Sequence, residues 1–260
     1  MKLNIVPART GIVWVKLGMQ AFLKQPLALT GLFFMYMAAV LVLSQLPLVG
    51  SLLGAMLVPA ATLGLMAATA EAASGRFPMP SVLLSAFRAG RQRGRAMLVL
   101  GAIYTVGSML ATLLAGVLVG EPNASVADSP TAPVDARSVV ALLLHTPLVV
   151  LFWHSPALVH WHGVAPVKSL FFSAVACFRN LGAMLLYGAT WLVVFLLVGF
   201  VFSTLGMMLG GVAVARSVMM PTVLLLVAMF STSLYFTFRD SFRPDDVPDA
   251  EPAPGEESTP

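Results

Sequence analysis

All four histidines of the chain, His145, His154, His160 and His162, stand in one short stretch, and neutral imidazole is a ligand for Zn, Cu or Fe. Their spacing argues against a metal or haem centre. His145 and His154 fall on opposite faces of one helix, and no pair has the i, i+4 separation that brings two ligands together. A haem held between membrane helices needs a histidine from a second helix, and the sequence offers none there. We expect no metal and no cofactor, with His160, Trp161 and His162 forming an interfacial belt. The single cysteine, Cys177, excludes an intramolecular disulfide and any cysteine cage for metal. Glu71 closes an apolar stretch; it is expected to terminate a helix, and a gate or a pair with Arg76 is the competing reading. Phosphate loops, nucleophile elbows, HExxH and dinucleotide motifs are absent. The expected protein is not an enzyme, and catalysis by His160 or His162 is the weakest reading.

The elements that must carry these residues are membrane helices. Of 260 residues, 58% are hydrophobic and 10% charged, against about 25% charged in soluble domains, and the mean hydropathy is +0.90. This excludes a water-soluble enzyme. Residues 25–70, 96–120, 138–167, 180–215 and 217–238 contain no Asp, Glu, Lys or Arg. A bilayer core about 30 Å thick needs roughly 20 helical residues, so the first stretch holds two spans and the others one each. The expected fold is an all-α integral membrane protein with six transmembrane helices: Leu27 to Gln45, Leu52 to Ala70, Ala96 to Val119, Val139 to Val159, Leu181 to Leu205 and Val218 to Phe238. The first span is read as uncleaved, since no signal-peptide pattern precedes it.

Alternating sides, Lys2, Arg9, Lys16, Lys24, Arg76, Arg88, Arg91, Arg93, Arg95, Lys168, Arg179, Arg239 and Arg243 share one side, and the other holds Arg137 and Arg216. The positive-inside bias places the first set, and with it both termini, in the cytoplasm. Three domains are expected: an interfacial helix over 1–25, a six-span membrane domain over 26–238, and a disordered acidic, Pro-rich tail over 239–260. The tail either docks a basic partner or is simply solvated.

Basic amphipathic stretches precede three of the spans. The first sets Arg9, Lys16, Gln20 and Lys24 against Trp14, Val15, Met19 and Phe22. The second sets Ser81, Ser85, Arg88 and Arg95 against Leu83, Leu84 and Phe87. The third sets Lys168, Ser169 and Arg179 against Phe171, Ala174 and Phe178. Phe87-Arg88 and Phe178-Arg179 each precede a span, and the segments 96–102 and 183–189 match at Ala, Met, Leu, Gly and Ala. The suggested unit is interfacial helix, span out, span back, repeated three times in parallel. Chance likeness between apolar segments is the alternative.

Arg88, Arg91, Arg93 and Arg95, with Lys16 and Lys24, are the expected contacts to anionic lipid head groups, at about 1 kcal/mol each; beside a span, nucleic acid is not expected. Small residues four apart mark helix packing: Ala60, Gly64 and Ala68; Gly107, Ala111 and Ala115; Gly206 and Gly210. Packing within the bundle is the default, and a homo-oligomer seam is the second reading. Pro59, Pro147, Pro156 and Pro221 interrupt spans and either kink them or free carbonyls toward a cavity.

The segments Val6-Pro7-Ala8-Arg9, Gln25-Pro26-Leu27, Leu46-Pro47-Leu48-Val49-Gly50, Ser155-Pro156-Ala157-Leu158-Val159 and 173–180 resemble an uncharacterised family of multi-pass inner-membrane proteins of proteobacteria. The likeness covers most of residues 1–200; the loop from Gly120 to Arg137 and the acidic tail do not share it. It implies a bacterial inner membrane and no particular mechanism. The leading expectation is a non-enzymatic scaffold, assembly or envelope-maintenance factor with a membrane or cytoplasmic protein partner. The alternative is a transporter or channel for a neutral or lipid-like small molecule.

Overall fold

The computed structural model describes residues 2–47, 49–120 and 136–243. The helices follow in order as α1 Thr10–Lys24, α2 Pro26–Ser44, α3 Gly50–Ala73, a 3-10 turn Pro80–Leu84, α4 Ser85–Arg88, α5 Arg91–Val119, α6 Ala136–Phe152, α7 Ser155–His162, α8 Pro166–Arg179 and α9 Leu181–Ser241. Among the described residues, five helical segments are long and apolar enough to cross a membrane: α2, α3, α5, the stretch from Ala136 to His162, and α9. Their outward residues are apolar; on α9, Leu192, Leu196 and Phe200 are 60%, 64% and 71% exposed. Water does not tolerate so large an apolar exterior, and acyl chains do. The chain is therefore an all-α membrane protein.

A straight helix of 61 residues would be about 90 Å long, three times the bilayer core. Instead α9 breaks at Gly210 and Gly211, where Gly211 adopts φ 71° and ψ −161°, a backbone conformation open almost only to glycine. The arms 181–209 and 212–241 fold back against each other. A Cβ added to Gly206 would lie 2.5 Å from the Ala215 Cα, so the backbones touch near the turn. Further along, the Tyr187 hydroxyl lies 2.6 Å from Ser233 Oγ, and Trp191 Nε1 donates to the same oxygen at 3.2 Å. These bonds satisfy polar groups away from water. Relative to the expected spans, both arms are longer and Arg216 lies in a helix.

Helix α1 is built into this hairpin. Gly11 presses on the backbone of Ala183 and Tyr187, and a Cβ on Gly18 would come 2.5 Å from the Ser233 Cβ. Thr232 Oγ1 donates to the Gly18 carbonyl at 2.9 Å, and Trp14, fully buried, meets Tyr187 edge-on. The outer face keeps Lys16, Gln20 and Lys24 exposed, as the charge pattern implies. The inner face packs on protein, so the expected boundary at 25 separates no independent body.

The C-terminal boundary also moves. Helix α9 continues to Ser241, and Phe242–Arg243 form a short strand, β2, antiparallel to β1 at Lys2–Leu3. Trp14 Nε1 donates to Asp240 Oδ2 at 2.9 Å, and Asp240 Oδ1 pairs with Arg239 at 2.8 Å. Asn4 Nδ2 donates to the Asp240 carbonyl, while Asn180 Oδ1 accepts from the Val6 N–H. Residues 239–243 thus join the bundle because their polar groups clamp the N-terminal segment. The tail expected beyond them, at 244–260, lies outside the described residues, as does the loop over 121–135.

The expected fourth span is broken at His154, between α6 and α7. Pro156 brings no N–H to the first turn of α7. Ser173 of α8 repairs the gap: its hydroxyl accepts from the His154 N–H at 3.0 Å and donates to the Val150 carbonyl at 2.9 Å. The inward face of α8 is made of Ser169, Ser173, Ala176 and Cys177, and Val167, Phe171 and Phe178 point outward. The second amphipathic stretch is not one helix. Gly90, at φ 104°, separates α4 from α5, so Arg91, Arg93 and Arg95 open α5 itself and Arg88 stands apart.

Candidate functional site

Three features of local sequence build a shelf beside α3. Gly75, at φ 80°, ends the helix; Met79 is extended, as a residue before proline must be; and Pro80 starts the 3-10 turn. The shelf sits on α3 through Gly64, where an added Cβ would lie 2.9 Å from the Leu83 Cα. The line Ala60, Gly64 and Ala68 is therefore a seat, with Ala60 5% exposed and Ala68 fully buried.

The two faces of the shelf line two cavities. On the apolar face, Leu83, Leu84 and Phe87 join Met35, Tyr36 and Ala39 of α2 and Leu57, Ala60 and Ala61 of α3 around about 430 Å³. On the polar face, Ser81, Ser85 and Arg88 join Glu71 of α3 and His160 of α7 around about 540 Å³. Ser81 lines both. Cavities of this size suit small ligands. Two of the residues that line the second cavity carry a buried polar atom without a hydrogen-bond partner, Ser85 Oγ and His160 Nδ1. Such atoms cost free energy unless something binds them. Among the described residues the Glu71 carboxylate and the Arg88 guanidinium form no ion pair with each other.

The other basic residues do not converge here. Arg93 lines a separate cavity of about 370 Å³ with Val159 and Pro166, and Arg91, Arg95, Lys16 and Lys24 are exposed. Gly107 packs against Leu148, 2.6 Å from where its Cβ would be, and Ala111 and Ala115 are buried on the same seam between α5 and α6. Gly206 packs within α9, whereas Gly210 belongs to its turn rather than to a packing line.

The histidines take separate positions. His145 lies 2.7 Å from the Ala141 carbonyl and 3.2 Å from Ser108 Oγ. His154 is fully buried beside Phe238 and Phe242, and His162 packs on Phe238. Trp161 stacks on Phe238, so this part of the belt is internal packing. Among the described residues no group of three or more His, Cys, Asp or Glu side chains comes together. Sequence reasoning placed Ser81, Ser85 and Arg88 on one face but missed that Glu71 and His160 meet it.

Fold and surface define a multi-pass α-helical membrane protein. The chain is 35% identical over 256 residues, 93% of its own length and 94% of the relative's, to a Burkholderia thailandensis protein described as "Probable inner membrane protein". The chain belongs to the same family, which is the proteobacterial inner-membrane family its sequence resembles. No family model matches the chain, and no solved structure does.

Proposed function

We propose that this inner-membrane protein is a non-enzymatic envelope factor that holds a lipid-like amphiphile at the cytoplasmic leaflet. The observation that supports this reading is that an apolar cavity and a polar one share a lining residue, Ser81. The apolar cavity alone suits neither an ion nor a soluble metabolite. Together the two cavities match a molecule with a hydrocarbon tail and a polar head. The reading draws on both sequence-based alternatives, keeping the absence of catalysis from the first and the lipid-like ligand from the second.

The proposed topology has six spans with both ends cytoplasmic, α9 supplying two of them through its turn at Gly210 and Gly211. The shelf, α1 and α8 then lie on the cytoplasmic side, where the basic residues concentrate. The parallel three-unit repeat is retained as the relation between these rim elements, although α4 is far shorter than α1 and α8. Native mass spectrometry from mild detergent tests the function. One phospholipid-sized adduct should survive on the intact protein and disappear in Ala39→Trp, which fills the groove from α2. A folded wild-type protein with no adduct contradicts the reading.

A further inference from the structure

We propose that the polar cavity selects a phospholipid whose head group carries both a phosphate and a primary ammonium. This rests on the lipid-like ligand proposed above and adds the chemistry of its head. Glu71 is the only acid of residues 1–120, and it stands in the same cavity as Arg88. With His160 neutral, the cavity holds one carboxylate and one guanidinium. A purely anionic head would satisfy Arg88 and meet repulsion from Glu71. A zwitterion satisfies both, which is the charge complementarity that picks it out.

The donors follow the same division. Arg88 presents a planar fork suited to phosphate oxygens, and the unpartnered Ser85 hydroxyl adds a further donor beside it. An ammonium has only donors to offer, and Glu71 is an acceptor at the far side of the shelf from the acyl groove. His160 lines the same cavity and carries a buried, unpartnered Nδ1. The acyl chain leaves past Ser81 into the groove floored by Ala60 and Ala61, where aliphatic and aromatic side chains surround it.

The test is competition on the full chain by native mass spectrometry, offering equimolar phosphatidylethanolamine and phosphatidylglycerol with identical acyl chains. One charge-assisted hydrogen bond sets an expected enrichment of about tenfold for phosphatidylethanolamine on the wild type. Glu71→Gln should bring the two lipids to parity with total occupancy kept, and Glu71→Asp should keep the preference. Arg88→Gln should lower occupancy by both lipids. Preference for phosphatidylglycerol on the wild type, or a preference unmoved by Glu71→Gln, overturns the head-group assignment while leaving lipid binding standing. Absence of any adduct overturns the lipid-binding reading itself. Variants are compared only where their thermal unfolding in detergent matches the wild type.

Discussion

Ser173 shows how one hydroxyl holds a broken helix together. It serves the His154 N–H and the Val150 carbonyl at once, in a buried position where neither finds water. Ser173→Ala removes both bonds, and the expected loss of stability is about 1–3 kcal/mol, read by thermal unfolding in detergent. Cys177, one turn further on, is buried, and burial pushes its thiol up to about 12. A raised value favours the neutral thiol, so thiolate forms only as pH approaches 12. Alkylation of the folded protein should therefore stay far slower than that of an exposed thiol throughout pH 7 to 9, rising about tenfold per pH unit without levelling off, whereas an exposed thiol levels off as pH passes its ordinary value. Rapid labelling without denaturant would show that α8 does not pack as described. At this scale the sequence was only partly legible. Helical spacing put Ser81, Ser85 and Arg88 on one face, because all three belong to one short stretch. Glu71 and His160 come from α3 and α7, and no periodicity connects residues so far apart in the chain.

Helices were easier to read than their joints. The spans at Pro26–Ser44 and Gly50–Ala73 lie within a few residues of the charge-free runs that announced them, since in a bilayer apolar length is itself the signal. The break at His154 was hidden inside such a run. Pro156 hinted at it, but Pro59, Pro147 and Pro221 stand within helices without ending them, so proline alone could not decide. Glycines on α1 were also missed. Gly11 and Gly18 lie seven apart on one face, a legible pattern that the more visible row of basic residues obscured. The turn of α9 makes the most direct element-scale test. Gly211→Ala places a side chain at φ 71° and ψ −161°, and should cost about 1–3 kcal/mol without changing the spans. A stability equal to that of wild type would mean that the arms join differently.

At the scale of the molecule, the first and last described residues are tied together. Lys2 pairs with Arg243 and Leu3 with Phe242, so both ends of the described chain lie on one side of the bundle. Complementing fragments of a split fluorescent protein fused to the two termini should light up in the cytoplasm, and a reporter at Ser81 should be cytoplasmic while one at Asp128 is periplasmic. A periplasmic signal at Ser81 would invert the leaflet assigned to the shelf. The proposed sidedness rests on the positive-inside bias, which the sequence carries, whereas the two cavities were not legible there, because they arise from how the shelf seats on α3 through Gly64. The central claim is that an acyl chain occupies the groove between α2, α3 and the shelf. Photocrosslinking with a phospholipid carrying a diazirine in its acyl chain, at low lipid loading, tests it most directly. The expected adducts fall on Met35, Tyr36, Leu84 and Phe87 and vanish in Ala39→Trp; adducts spread evenly over the outer face of α9, at Leu192, Leu196 and Phe200, and unchanged in that variant would contradict it.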